Sequence, residues 1–381
     1  MVVGTEIRIG ALGVGNFGRF ALQNFVQLPG VSIVAIAETG RESAMAVSER
    51  FNVPDVQRVD ALIGREDVDL VYIATPPFLH HPYAKDALSA GKHVILEKPL
   101  ALTLQQADEL MSLAADRDLV LVANLMQPYN PLFEMVTELV RNKLLGEVLY
   151  GYFENYASDE HLSPDHWFWD RKKSGGIFIE HGVHFFDMFE TWIGPGEVVA
   201  AQRVLRPGTK LEEQVACTVR HEGGALVHHY HGFTQPSRSD RQEIRLLFEL
   251  GQLTLRGWVP LTAKVRALVD DNRWRQLAES FPGSQTETLE RFREEEQEMM
   301  ARHRQRTATR LVELSWRSPM PKFERYGQLV RSLIADQIRW IGDHRHRRSM
   351  TAEKGRASLG MALQATHLAG GDSQPARGLL G

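Results

Sequence analysis

Two short stretches carry residues whose types and spacing suit proton and hydride chemistry. The first is Glu97-Lys98-Pro99, which follows the strand-like run His93-Val94-Ile95-Leu96. Pro99 imposes extended backbone on Lys98. An ammonium held there would favour an alkoxide or a polarised carbonyl oxygen. The bland alternative is a surface lysine paired with Glu97. The second stretch is SGGIFIEHGVHFFD, residues 174–187. On a helix Glu180, His184 and Asp187 share one side, while Val183, Phe186 and Phe189 pack inward beside them. His184, with an ordinary imidazole pKa of about 6.5, suits the task of taking a hydroxyl proton as hydride leaves. Glu180 is then expected to hold and tune that imidazole, and Asp187 to fix the helix or the adjoining loop.

Hydride chemistry needs a dinucleotide, and the N-terminal stretch GALGVGNFG offers a place for one. Gly13-x-Gly15-x-x-Gly18 sits between the apolar run Ile7-Arg8-Ile9 and a helix-like segment. Gly13 suits the tight turn, Gly15 a close approach of pyrophosphate to bare backbone, and Gly18 close packing of helix on strand. Asn16 and Phe17 lie inside the turn, at a helix N-terminus whose free N–H groups favour phosphate. A second apolar run, residues 31–37, ends in Glu38, where a carboxylate would accept hydrogen bonds from the adenosine ribose and repel a 2′-phosphate. NAD is therefore expected rather than NADP, although Arg41 offers a partner to a 2′-phosphate. Ligands of a doubly wound sheet bind outside the carboxyl ends of its strands. Thr75-Pro76, His80, Glu97 and Lys98 fall at such ends and join the glycines in the expected cofactor set.

The elements that must position these groups change character along the chain. Strand and helix signals alternate through residues 1–125, which predicts an α/β Rossmann domain with a doubly wound parallel sheet. Prolines and an asparagine at residues 124–131 mark the boundary. From residue 146 strand-like runs dominate, so residues 126–381 are expected to form an α+β domain with a large, mostly antiparallel open sheet for substrate binding and oligomerisation, its last helices returning over a domain face. The highly charged stretch 285–310, with apolar residues at Leu289, Phe292 and Met299, reads as a solvated helix.

Histidines cluster between residues 161 and 231. His228-His229-Tyr230-His231 lies on a predicted strand, so His228 and Tyr230 face one way and His229 and His231 the other. His166 and Trp167 arrive on a preceding loop, and Trp167, Trp169, Asp170 and Arg171 read either as a polar-aromatic wall for a carbohydrate or as loop residues packed on the sheet. Zinc is a rival use for the imidazoles, but neither cysteine nor HExxH accompanies them and no metal is expected. The candidate substrate contacts are Lys98, Tyr129, His166, Trp167, Arg171, His181, His184 and His228.

Three motifs in order, the Gly13 to Gly18 turn, Glu97-Lys98-Pro99, and GG-x-x-x-(D/E)-x-x-x-H-x-x-D over residues 175–187, resemble the Gfo/Idh/MocA family, relatives of glucose-fructose oxidoreductase and inositol dehydrogenase. The resemblance implies a Rossmann domain, a C-terminal open-sheet domain, NAD or NADP, and Lys98 and His184 as the catalytic pair with Glu180 beside them. It implies sheet-mediated homodimers or homotetramers. Two departures stand out: Glu180 replaces a frequent Asp, and Gln127-Pro128-Tyr129 replaces a frequent arginine. The expected activity is hydride transfer between NAD and a secondary hydroxyl or ketone of a sugar, glycoside or cyclitol. A second class is also implied, an NAD-dependent glycosidase that oxidises, eliminates an aglycone, adds water and reduces with bound NAD. A dinucleotide-binding sensor without catalysis is the third reading.

Bulk properties agree. The chain has 381 residues, 43% of them hydrophobic, and a net charge of −4. No electrostatic case arises for nucleic acid or an anionic membrane. Neither a membrane span nor a signal-like start is visible, and the single Cys217 precludes an internal disulfide, so a cytoplasmic protein is expected.

Overall fold

The computed structural model describes residues 6–37, 41–53 and 58–370. Five apolar runs in the first third of the chain pair in parallel as β1 (Ile7–Leu12), β2 (Val31–Ala37), β3 (Leu70–Ile73), β4 (His93–Leu96) and β5 (Leu121–Ala123). Covered on both faces, such strands need no polar alternation, and they read as continuous hydrophobic stretches. Helices α1 (Asn16–Phe25), α2 (Arg41–Phe51), α3 (Val59–Ile63), α4 (His80–Ser89) and α5 (Leu104–Asp116) supply the crossovers. Gly91 stops α4 with φ 76°. At the start of α5 the Gln106 N–H donates to Thr103 Oγ1 at 3.2 Å, while Gln106 Oε1 accepts from the Leu102 N–H at 3.1 Å. Strand order is β2-β1-β3-β4-β5, so direction reverses beside β1, and the carboxyl ends of β1 and β3 flank a crevice.

The next part of the chain builds a nine-stranded sheet. Helix α6 (Pro131–Arg141) leads into β6 (Val148–Ser158), followed by short α7 (Arg171–Ser174) and α8 (Val183–Ile193). Then come β7 (Gly196–Leu205), β8 (Glu212–His221), β9 (Leu226–Gln235), β10 (Arg241–Phe248), β11 (Gly251–Arg256) and β12 (Thr262–Val269). Helix α9 (Asp271–Ser280) precedes β13 (Gln285–Arg291), β14 (Glu298–Ala301), β15 (Arg304–Thr307) and β16 (Arg310–Arg317). The large sheet runs β13-β16-β12-β11-β10-β6-β9-β8-β7, antiparallel throughout except for the parallel pair β6 and β9. One face is covered by α8, whose Phe185 stacks on Phe153 of β6 with centroids 3.5 Å apart. Phe189, Trp192 and Phe133 continue that apolar layer. The buried Cys217 thiol belongs to the sheet core, and burial pushes its pKa up.

The charged stretch 285–310 corrects the helix expectation: it is edge strand β13 followed by the hairpin of β14 and β15. Leu289 is skipped where Thr288 pairs with Val312 and Glu290 with Leu311, so a β-bulge produced the helix-like spacing of Leu289 and Phe292. The hairpin turns at Arg302 and His303, both with positive φ, a geometry that suits a tight two-residue loop. Charges along β13 keep an exposed edge from recruiting another strand.

Two long helices close the chain as expected. Helix α10 (Lys322–Gly342) packs on α1, with the Tyr326 ring 4.9 Å from Phe20 and 5.8 Å from Phe17. Helix α11 (Ala352–Gly370) lies between β7, α8 and α5, and Arg356 Nη2 donates to Asp108 Oδ2 at 3.0 Å. The basic run 344–348 is a turn: His346 Nε2 lies 2.7 Å from Asp336 Oδ1, and Arg348 covers the Trp340 ring. Residues 371–381, read as a frayed tail, lie outside the described residues. Among the described residues no helix is long and apolar enough to cross a membrane. Phe189 is fully buried between helix and sheet. Phe189→Ala is expected to cost about 3–5 kcal/mol of unfolding free energy in a denaturant titration, because the cavity cannot collapse between two packed layers.

Candidate active site

The glycine turn is shaped by two different demands. Gly13 has φ +87°, and a Cβ there would lie 2.6 Å from the Ala74 carbonyl oxygen. A Cβ on Gly18 would collide with the Gly13 carbonyl. Gly15 is different, since a Cβ on it would meet nothing within 4 Å among the described residues. Protein crowds Gly13 and Gly18, whereas the bare backbone at Gly15 faces open space where α1 begins. That opening belongs to a cavity of about 710 Å³ bounded by Gly13, Gly15, Asn16, Phe17 and Gly18 on one side and Thr75 and Pro76 on the other. The Thr75 hydroxyl is buried there without a hydrogen-bond partner among the described residues. A cradle with free helix N–H groups and an orphaned hydroxyl fits a pyrophosphate. Glu38, expected at the ribose, lies outside the described residues.

His80 does not reach this cavity, which corrects its placement among the cofactor contacts. It is fully buried behind the crevice, with Nδ1 2.8 Å from the Pro99 carbonyl and Nε2 2.9 Å from the Thr75 carbonyl. Burial lowers its pKa, and a neutral ring has one N–H to donate between those two acceptors. The imidazole therefore packs between two strand-end loops and donates to one of them.

A second cavity of about 440 Å³ adjoins the first and shares Phe17, Ala74, Thr75, His166 and Trp167 with it. Glu97 and Lys98 enter from the end of β4, and Glu180, His181 and His184 from the other sheet's helix. Glu97 is not the lysine's partner. Its Oε1 accepts from Tyr72 Oη at 2.6 Å and from Asn124 Nδ2 at 2.9 Å, and burial pushes its pKa up to about 7. Lys98 Nζ instead forms an ion pair with the Glu180 carboxylate and donates to the Glu180 backbone carbonyl at 2.5 Å. The pairing corrects the expectation that Glu180 holds His184. Its cause is local: residues Phe178–Gly182 form a π-helical turn ahead of α8, so the i, i+4 stacking of an α-helix does not apply across Glu180 and His184.

His184 is 4% exposed, lies edge-on to Trp258 at 4.7 Å, and has its Nδ1 buried without a partner among the described residues. Burial, then the charge of Lys98, drives its pKa well below the ordinary imidazole value. His181 is depressed in the same way, and its Nδ1 sits 2.9 Å from Nδ1 of His231. Asp187 is 3% exposed, its Oδ2 has no partner among the described residues, and burial raises its pKa to about 7. Among the described residues no three His, Cys, Asp or Glu side chains converge as a metal site would require.

The structure brings His166, Trp167 and His181 to the second cavity but not three other expected contacts. Tyr129 turns away, its hydroxyl donating to Asp336 of α10 at 2.6 Å. Arg171 opens α7 outside the lining. His228 is exposed on the outer face of β9, 2.9 Å from Thr218 Oγ1, while strand alternation turns His231 inward to His181. Trp169 is packed in the core rather than on the wall. Missed by sequence reasoning were Asn124, Trp258 and Tyr326. Asn124 directly follows β5 and was legible as a strand end. Trp258 and Tyr326 come from distant segments that only the closed fold brings in.

The description "oxidoreductase family, NAD-binding Rossmann fold" matches residues 7–125, and that of the GFO/IDH/MocA C-terminal domain matches residues 133–254. The chain belongs to the Gfo/Idh/MocA family. The first cavity is thus part of a NAD-binding Rossmann domain. Among curated relatives, a dTDP-3,4-didehydro-2,6-dideoxy-alpha-D-glucose 3-reductase of Streptomyces violaceoruber is 38% identical over 37% of this chain and 42% of its own length. A glycosyl hydrolase family 109 protein of Shewanella amazonensis is 35% identical over 38% of this chain and 34% of its own. These matches therefore span well under two thirds of either relative. Among solved structures, levoglucosan dehydrogenase with NADH and levoglucosan superposes with a TM-score of 0.75 at 18% identity, covering 95% of this chain and 97% of that one. The WlbA dehydrogenase of Bordetella pertussis, in complex with NADH and UDP-GlcNAcA, gives 0.74 at 17%, covering 97% of each. At such identity the likeness is one of fold.

Three outcomes follow from the geometry of this family member. Gly15→Ala is expected to leave the melting temperature unchanged and weaken NADH binding at least about tenfold in a fluorescence titration, because its methyl enters the space the phosphates need. Gly18→Ala should lower the melting temperature first. Asp187, whose folded pKa is raised to about 7, favours the fold when protonated. That contribution is present below the unfolded aspartate range and is lost as pH rises toward about 7, at no more than about 1.4 kcal/mol per pH unit. Denaturant titrations should show the Asp187→Asn variant losing this part of the decline.

Proposed function

We propose that this protein is an NAD-dependent oxidoreductase that moves hydride between the nicotinamide and a secondary hydroxyl or ketone of a sugar, glycoside or cyclitol. Residues 1–125 serve as the cofactor half and residues 126–381 as the substrate half. The observation that carries the reading is one cavity, continuous with the glycine cradle, into which Lys98 comes from the parallel sheet and His184 from α8. Three relatives support it, since a dTDP-sugar 3-reductase, a glycosyl hydrolase and levoglucosan dehydrogenase are all named for sugars or sugar derivatives.

A nicotinamide dinucleotide bound beside Gly15 and Thr75 would supply the hydride acceptor. Lys98 spends two of its N–H bonds on Glu180, through carboxylate and carbonyl, and has a third for the substrate oxygen. Held there, its charge stabilises an alkoxide as the C–H bond breaks. His184 is neutral because burial and Lys98 disfavour its cation, which leaves a ring nitrogen free to accept a hydrogen bond from the substrate hydroxyl, whose proton it takes as the hydride leaves. Glu180 acts as a positioning residue for the ammonium. Asn124 and Tyr72 hold Glu97 behind the lysine. NAD rather than NADP remains the choice supported by the carboxylate of Glu38 in the sequence.

Family 109 relatives favour a second reading at the same site, aglycone release by transient oxidation. Their likeness lies in less than two fifths of this chain. Supplying NAD and a glycoside separates the two: a dehydrogenase accumulates NADH in step with product, whereas the glycosidase releases aglycone with catalytic NAD. His184→Ala is expected to lower kcat by about two to four orders of magnitude in either assay while NADH affinity stays near the parent value. An unchanged kcat would remove His184 from the chemistry.

A further inference from the structure

The charges around the second cavity restrict what can lie in it. Among the described lining residues Lys98 is the one lysine or arginine, and its ammonium is neutralised by the Glu180 carboxylate. Both side chains are largely withdrawn from water, at 17% and 13% exposure. The imidazoles add no fixed positive charge. The Phe168 N–H donates to His166 Nδ1 at 3.2 Å, which requires that nitrogen to be unprotonated. His181 and His231 face each other Nδ1 to Nδ1 at 2.9 Å, so at least one of those atoms carries no proton. Glu97 is a second carboxyl in the lining, without a cation of its own.

The rest of the wall is aromatic and aliphatic. Trp258 is flanked by both imidazoles, with its ring 5.3 Å from His181 and 4.7 Å from His184. Trp167, Phe168, Phe233 and Leu162 complete the enclosure. Indole faces suit the C–H faces of a saturated ring, and uncharged imidazoles suit hydroxyl groups as donors or acceptors.

We infer that the ring presented to the nicotinamide is uncharged: a neutral sugar or cyclitol, free or as a glycoside, and not a uronate or a ring phosphate. The inference rests on the oxidoreductase reading of this site and deepens it. An anionic substituent on that ring would give up its water against a wall whose own described residues hold one compensated cation and a surplus carboxyl, and the positive charge of an oxidised nicotinamide is shared with the reacting oxygen, so the protein repays little of the desolvation.

The test uses the NAD-loaded protein and matched pairs at constant ionic strength: methyl glucoside and methyl glucuronide, methyl galactoside and methyl galacturonide, myo-inositol and its monophosphate. NADH formation gives kcat/KM, and tryptophan fluorescence of the NADH-loaded protein gives affinity for pairs that do not react. The neutral member should lead its anionic partner by at least about 100-fold, as expected for an uncompensated buried charge. In Glu180→Gln, which releases the Lys98 charge, the affinity gap should shrink by about tenfold or more. A charged member that equals or exceeds its neutral partner overturns the inference, as does a panel in which no neutral compound binds or reacts. Protein that binds NAD yet prefers uronates loses this inference and keeps the oxidoreductase reading. Protein that holds no dinucleotide loses both.

Discussion

The contact on which this molecule depends is the clasp between Lys98 and Glu180. It joins residues 82 positions apart, one at the end of a parallel strand and the other on a π-helical turn from the second sheet. Removing either partner would leave a charge withdrawn from water, which costs far more than the pair gains over solvated ions. The π turn makes the geometry available. By relaxing the α-helical repeat, it turns both the carboxylate and the backbone carbonyl of Glu180 toward one ammonium. The pair thus fixes the register between the glycine cradle and the helix that carries His184.

Around this clasp the other polar groups are mostly braces. His80 packs between the loops after β3 and β4, and Tyr72 with Asn124 ties Glu97. Helices α10 and α11 work at larger scale, packing on α1 and α5 of the parallel-sheet domain. Tyr326 shows how scale and site meet: it packs on Phe17 and Phe20 of α1 and also lines the substrate cavity. A helix distant in sequence is therefore part of the pocket wall.

What could be read from the residues follows a physical line. Buried parallel strands and the glycine turn announce themselves because backbone geometry dictates their residue types, and the structure matches them closely. That Lys98 and His184 converge on one cavity was legible because each sits in a short motif beside a defined element end. Contacts that depend on rotation about an element's axis were not. Tyr129 and His228 have suitable chemistry on sides that face away from the cavity, and Glu180 lost its expected partner to a turn type that no local residue pattern marks. The strand β13 was read as a helix because one bulged leucine shifted the apolar repeat.

The histidines carry this argument one step further. On β9 four consecutive residues offer polar rings, and alternation alone sends His229 and His231 inward and His228 outward. The inward pair is wholly buried, and both nitrogens of His229 lack partners among the described residues. Hydrophobic replacements would pack the same space without that penalty. Imidazoles placed behind a pocket whose one cation is already paired give polarity without net charge. His231 reaches the lining only through His181, so the inward rings lend polarity to the wall without adding a charge beside the Lys98–Glu180 pair.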